Sequence, residues 1–441
     1  MCICLEHGFF YFMKLFFYAY SLLIYVLAPV FLVRLKWKSR KNKAYGQRIK
    51  ERFGFYGALI GKEEHDVWIH AVSFGEVEVA QGLIRHWCGQ AKRVLVTTTT
   101  PTGSARVQRL FSQEVTHVYL PFEWPDAIGR FLRRFKPKLL VIIETELWPN
   151  LLTICASHSL PIVITNARLS ERSMRGYAYI STVISHVLQS LHRVIAQSEA
   201  DGERFLALGL SPEKLIIGGN LKFDSEQTTF DTHELATLRQ GLFGNRDVLI
   251  AASTHPGEEI QLLKCFKQLK RVKTNLVLII APRHPERILE IEKLVNAYEF
   301  KMVRRTSQQA LAMDEDVFIL DTLGELQLFY HLCDMAFVGG SLVAHGGHNV
   351  LEAIRANVPV VMGKHTHNFT FITQQLLKVQ GLIQIDNVLQ LTEEILSLFK
   401  SVSKRNALMN AANEFLMQHK GALNKNIRLI DELMNASNTE S

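Results

Sequence analysis

Twelve short apolar runs, rich in β-branched residues, punctuate this chain, and longer amphipathic stretches separate them. In the first half the runs are Val67–Ala71, Arg93–Thr97, His117–Leu120, Leu139–Ile143, Ile162–Thr165 and Val194–Ala196. In the second they are Val248–Ala252, Leu276–Ile280, Val317–Leu320, Met335–Val338, Val358–Met362 and Leu382–Ile385. A strand with no polar face must be covered on both sides. Runs of this kind, alternating with helices, therefore predict parallel sheets with helices on both faces. The rhythm occurs twice, and 441 residues exceed one ordinary domain. The expected architecture is α/β, with two Rossmann-like domains facing a cleft. The break is expected within Lys222 to Leu238, where a polar stretch precedes a fresh helix and strand. That places an N-terminal segment at 1–35, domains at 36–225 and 226–425, and a tail at 426–441. Lys404 to Leu433 reads as amphipathic helix. Ligands of such sheets bind outside the carboxyl ends of the strands, so functional residues are sought just after each run.

Leu15 to Val33 is 19 residues without a charge, long enough to cross or deeply enter a bilayer. Arg34, Lys36, Lys38, Arg40, Lys41, Lys43, Arg48 and Lys50 follow it. The positive-inside rule then places everything downstream in the cytoplasm, against the inner face of a membrane. No small-residue cleavage site follows the run, which argues against a cleaved signal peptide. Pro29 and Lys14 leave open whether the segment spans or lies in the interface, and Met13 is an alternative start. The segment is expected to be separable from a folded domain pair.

Net charge is +8, from 50 Lys and Arg against 42 Asp and Glu. That excess suits phosphates or an anionic membrane face. No Lys/Arg stripe interleaved with aromatics accompanies it, so nucleic acid is not an expected partner. The six cysteines form no CxxC pair and no disulfide framework. His70, His255, His284, His345, His348, His365 and His367 stand near the motifs below without a local ligand set, so no metal is expected.

Six segments after the runs carry candidate chemistry. In Trp68-Ile69-His70-Ala71-Val72-Ser73-Phe74-Gly75-Glu76, a buried strand leads into a small-residue turn and a carboxylate at a helix start. Glu76 there fits a general base, although from position alone a helix cap is the commoner use. Ile143-Glu144-Thr145-Glu146-Leu147-Trp148-Pro149-Asn150 brings two carboxylates, which equally fit the acidic first turn of a helix. Gly218-Gly219-Asn220-Leu221-Lys222-Phe223-Asp224 sets a lysine among glycines. It fits a phosphate contact, or a solvated linker. Pro282-Arg283-His284-Pro285 places a guanidinium at a strand end, where it suits a phosphate or simply a polar loop. Val338-Gly339-Gly340-Ser341-Leu342 and Gly346-Gly347-His348-Asn349-Val350-Leu351-Glu352 read as a strand, a glycine loop and a helix start. Free N–H groups and a helix dipole there would bind an anion, though a plain turn and cap uses the same residues. Met362-Gly363-Lys364-His365-Thr366-His367-Asn368-Phe369 follows another strand.

Taken in order, these motifs closely resemble the bacterial 3-deoxy-D-manno-octulosonic acid (Kdo) transferases, over almost the whole chain. The apolar N-terminus, Ser39-Arg40-Lys41 and Glu51-Arg52-Phe53-Gly54 belong to the likeness. The resemblance implies a GT-B glycosyltransferase of lipopolysaccharide assembly, using CMP-Kdo and a lipid A precursor (lipid IVA) without a cofactor or bound metal. It puts the general base on Glu76 and transition-state stabilisation on Glu146 and Lys222. It puts CMP contacts on Pro282, Arg283, Gly324, Glu325, Leu326, Asn349, Val350, Leu351 and Glu352. Attack by a glucosamine hydroxyl would invert the ketosidic carbon. Competing readings are a UDP-sugar epimerase of the same fold and a non-catalytic, membrane-bound nucleotide-sugar binding protein.

Overall fold

The computed structural model describes residues 2–57, 64–224 and 230–439. Two compact units form, Met1–Glu226 with His419–Ser441 and Gln227–Gln418. The expected boundary between residues 225 and 226 lies outside the described residues.

In the first unit, seven strands run β1 (Val67–His70), β2 (Val94–Thr98), β3 (Thr116–Tyr119), β4 (Leu140–Ile143), β5 (Ile162–Ala167), β6 (Arg193–Ala196) and β7 (Leu215–Ile217). They form one parallel sheet in the order β3-β2-β1-β4-β5-β6-β7. Side chains alternate across it. Trp68, Leu140, Ile142 and Ile164 enter one core, and Val67, Ile69, Val141 and Ile143 enter the other. Two-sided burial is why these strands read as unbroken apolar runs.

The second unit repeats the plan with β8 (Asp247–Thr254), β9 (Leu276–Pro282), β10 (Met302–Arg304), β11 (Val317–Ile319), β12 (Met335–Val338), β13 (Val360–Gly363) and β14 (Ile383–Ile385). Its parallel order is β10-β11-β9-β8-β12-β13-β14. All twelve expected strands form. The two additional ones, β7 and β10, are three-residue edge strands with partly exposed side chains, so neither carries the two-sided apolar signal. In each sheet the first strand lies inside. The chain leaves it on one side through β2 or β9 and on the other through β4 or β12. The switch points are therefore at β1/β4 and β8/β12, and the crevices at their carboxyl ends are where ligands bind in such sheets.

The C-terminal amphipathic stretch is two helices, Val402–Gln418 and Ala422–Thr439, broken at Gly421 with φ of +98°. The first belongs to the second unit and the last to the first unit. The expected limit at 425/426 falls inside that last helix. The Asp224 carboxylate accepts from the Gly421 and Leu423 N–H groups at 2.8 Å each. Asn426 accepts from Thr165 Oγ1 at 2.6 Å and donates to the Gly218 carbonyl at 3.3 Å. A Cβ on Gly218 would meet Ile195 at 2.2 Å, so this close approach requires glycine.

The N-terminal apolar stretch is not one long helix. Helices Cys2–Val26 and Ala28–Lys41 meet at a bend, with Pro29 in the first turn of the second. Among the described residues no single helix is long and apolar enough to cross a membrane. The bent pair Met13–Val26 and Ala28–Arg40, at 45°, passes that test together. One face packs on the first unit: Tyr20 donates to Glu123 at 2.6 Å, and Asn150 donates to Ser21 at 3.0 Å. Phe16 and Phe17 pack against its core. Tyr18 (73% exposed), Leu22 (66%) and Val26 (65%) face outward. The segment is therefore not the separable appendage its composition predicts.

Candidate active site

In the first unit, β1 runs into helix Phe74–Gly89, whose first turn is capped by Ser73 accepting from the Glu76 N–H at 3.5 Å. The Glu76 carboxylate reaches back, accepting from the Val72 N–H at 2.6 Å and from Ser73 Oγ at 2.9 Å. This is a reciprocal cap. The cap and the base are the same side chain. Burial pushes the Glu76 carboxyl up to about 7, with further upward pressure from Glu144 and Glu146 against the Val72 N–H bond. A half-buried carboxyl that titrates near neutrality is suited to taking a hydroxyl proton.

Across the switch point, β4 ends at Ile143 and the chain turns through Glu144 with φ of +64°, a left-handed conformation costly for a non-glycine residue. Glu146 accepts from the Trp148 indole N–H, and burial holds its carboxyl above the usual range. Lys222, in the turn Leu221–Asp224, stands 3.6 Å from Glu144 Oε1. The structure thus brings Glu76, Glu146 and Lys222 into one unit and adds Glu144 as the lysine's ion-pair partner. The Glu-Thr-Glu motif contained Glu144, but spacing alone could not say which carboxylate meets the lysine.

The second unit corrects the reading of the glycine loop. Its first N–H groups are not left open for an anion: Gly340, Ser341 and Leu342 donate to the Glu258 carboxylate at 2.7, 3.0 and 2.9 Å, and His255 N–H donates to it at 2.9 Å. Glu258 is completely buried. The following helix, Leu351–Arg355, has five residues, too few for an appreciable dipole. Asn349 Oδ1 accepts from the Leu351 N–H at 3.1 Å, and Asn349 Nδ2 donates to Glu352 at 3.3 Å. The Asn349–Glu352 segment is locally tied by its own side chains. Val350 and Leu351 are core residues of this turn.

Pro282 ends β9, and Arg283 follows with its N–H on the Thr254 carbonyl at 3.1 Å and its side chain exposed. Its charge reaches a histidine cluster that no local spacing revealed. His255 follows β8, and His345 and His348 follow β12. His255 Nε2 and His348 Nε2 are 2.7 Å apart, and the His345 ring stacks on His255 at 4.1 Å. His284 sits edge-on to His255 at 5.8 Å. Gly324, with φ of +90°, precedes Glu325 and helix Leu326–Tyr330. Glu325 pairs with Arg305 at 2.9 Å and accepts from Thr322. Burial alone would raise its carboxyl, but these bonds hold it below its ordinary value. Helix Leu326–Tyr330 packs on helix Leu351–Arg355, which joins the expected contact segments. Among the described residues no group of three or more His, Cys, Asp or Glu side chains is arranged to hold a metal ion.

Solved structures share this fold. A glycosyltransferase from Rickettsia africae matches with a TM-score of 0.58 at 10% identity, over 86% of this chain and 100% of that one. A UDP-N-acetylglucosamine 2-epimerase matches with a TM-score of 0.53 at 10% identity, over 86% and 98%. At such identities the likeness speaks for the fold alone, which transferases and epimerases share. Sequence similarity separates them. Residues 47–225 match the family profile described as 3-deoxy-D-manno-octulosonic-acid transferase, and residues 260–415 match that of glycosyl transferases group 1. The 3-deoxy-D-manno-octulosonic acid transferase of Haemophilus influenzae is 39% identical over 94% of this chain and 97% of its own length. On this similarity, the chain belongs to the 3-deoxy-D-manno-octulosonic acid (Kdo) transferase family.

Proposed function

We propose that this protein transfers Kdo from CMP-Kdo to a glucosamine hydroxyl of lipid IVA, with inversion and with Glu76 as general base. Glu76 takes the hydroxyl proton, the oxygen bonds to the ketosidic carbon, and CMP leaves with the electrons of the broken C–O bond. The carbon passes through an oxocarbenium-like state, which the Glu146 carboxylate stabilises by analogy with glycoside hydrolysis. Lys222, oriented by Glu144, offsets negative charge on the departing group. Residues 36–225 would serve the acceptor and residues 226–425 the donor. Arg283 would hold the phosphate, the turns at Gly324–Leu326 and Asn349–Leu351 the nucleotide, and Glu352 the ribose hydroxyls. No step needs a cofactor or metal.

The observation that carries this reading is a half-buried carboxyl tuned to about 7 at the switch point of the first sheet, beside two further carboxylates. Purified Glu76→Gln protein tests it. Transfer from CMP-Kdo to lipid IVA should fall by about 100-fold or more, with CMP binding retained. Near-normal turnover would remove Glu76 from the base role.

The proposed location is the cytoplasmic face of the bacterial inner membrane. The outward row Leu15, Tyr18, Leu22 and Val26, continued by Val30, Val33 and Trp37, repeats at helical spacing and is followed by Arg34, Lys36, Lys38 and Arg40. Such a face suits insertion into an anionic lipid surface from one side.

A further inference from the structure

With the Gly340, Ser341 and Leu342 amides bound to Glu258 and the helix after them only five residues long, side chains of the second unit are the natural partners for the phosphate of a nucleotide donor. At the switch point of that sheet the side chains are cationic or able to become so. His255 closes β8, Arg283 and His284 close β9, and His345 and His348 follow β12. His255 is buried at the base, His348 is half-buried beside it, and His345, His284 and Arg283 are exposed at the mouth. The 2.7 Å separation of the two Nε2 atoms requires that one donate and the other accept, so a single proton is shared between the rings. A Cβ on Gly340 would come within 3.2 Å of His348 Nε2, so the loop leaves room for this ring by using glycine there.

Resting on the donor reading above, we propose that the His255–His348 imidazole pair is part of the phosphate seat, and that it takes up one proton when the nucleotide phosphate binds. The added proton converts a neutral pair into an imidazolium–imidazole pair whose charge faces the phosphate oxygens beside Arg283.

The electrostatics of the cluster run in the required direction. Burial, and then the cations around it, push both His255 and His348 down to about 4, so the pair is neutral at pH 7. The groups facing it are Arg283, His284 and Arg287 from the segment after β9, and His345 from the glycine loop. Glu258, in the helix Glu258–Lys270, accepts from the His255 backbone N–H, and Glu259 beside it accepts from Arg287. Glu258 is engaged by four N–H groups, and Glu259 by Arg287 at 2.8 Å. A phosphate placed among these cations reverses the sign of the local field. An opposite charge within about 4–6 Å favours the protonated imidazole by about 1–3 in pKa, which carries the pair from about 4 to between about 5 and 7.

The test is calorimetry of CMP binding to the purified full chain at about pH 5.5, between the values for the free and the phosphate-bound pair, in two buffers of different ionisation enthalpy. The difference gives the protons taken up per CMP. Wild type is compared with His348→Gln and, independently, His255→Asn, each first checked for an unchanged unfolding midpoint. CMP's own second ionisation contributes equally to all three, so the difference between proteins isolates the pair. We expect the variants to take up fewer protons than wild type and to bind CMP about tenfold more weakly at about pH 5.5. The affinity advantage of wild type should shrink as pH rises to 8. CMP binding with the same proton count in wild type and in either folded variant would overturn the proposal while leaving the donor reading intact. Absence of CMP binding in wild type would overturn both.

Discussion

Two carboxylates occupy corresponding places in the two units and behave oppositely. Each follows the first strand of its sheet in a Gly-Glu pair, Gly75-Glu76 after β1 and Gly257-Glu258 after β8. Glu258 is buried and binds four N–H groups, which fixes the glycine loop. Glu76 has two donors and a half-open environment, which leaves it able to titrate. Because its folded value, about 7, lies above the ordinary carboxyl value, transfer should rise with pH through about 7, as the ionised base accumulates. The same shift makes the protonated form favour folding, so stability gained at low pH should fade as pH climbs from about 4.5 to about 7 and then level off. Glu76→Gln should flatten both profiles, read from a rate series and from denaturant unfolding. Glu258→Ala should cost at least about 3 kcal/mol, since several buried amides lose their acceptor. An unfolding midpoint indistinguishable from wild type would contradict that structural role. The motif made Glu76 legible in the sequence. Glu258 was not, because three of its partners lie 82–84 residues away.

Elements were legible in proportion to how completely their side chains are buried. The strands with two apolar faces announced themselves, and the short edge strands β7 and β10 did not. Helices were read less well where a local break intervenes. Gly421 divides the C-terminal stretch into helices belonging to different units, and the bend before Pro29 divides the apolar N-terminal stretch. Composition predicts a membrane-seeking stretch but could not show that one face is packed on protein. The consequence is testable. Deleting residues 1–33 removes Tyr20, one donor to the half-buried Glu123, and uncovers the core surface under Phe16 and Phe17, so the truncated protein should unfold at lower temperature and aggregate more readily. A Leu22→Gln, Val26→Gln double substitution on the outward face should instead leave the unfolding free energy within about 0.5 kcal/mol per site, yet weaken co-sedimentation with anionic vesicles. Unchanged vesicle binding by a folded double variant would shift the membrane contact elsewhere.

At the scale of the whole molecule, the chemistry is divided between two sheets of like topology. Glu76, Glu144, Glu146 and Lys222 belong to the first unit; Arg283, the histidine cluster and the segments proposed to hold the nucleotide belong to the second. The division predicts distinct kinetic signatures. Arg283→Ala should raise KM for CMP-Kdo by about tenfold or more, whereas Glu76→Gln should act on kcat, as steady-state rates over a donor series will show. The fold alone does not distinguish a transferase from an epimerase, and neither does the glycine loop. That distinction rests on sequence similarity to the family and on the carboxylate group at β1/β4. The histidine pair escaped sequence reading because its members are 93 residues apart and meet only when β8 and β12 pair. The most direct measurement is mass spectrometry of lipid IVA after incubation with CMP-Kdo and the purified protein, wild type beside Glu76→Gln. The account predicts that wild type shifts the lipid by whole Kdo units, the number of peaks giving the count transferred, and that the variant leaves it unshifted. Unmodified lipid with folded, CMP-binding wild type, or the same product from the variant, would contradict it.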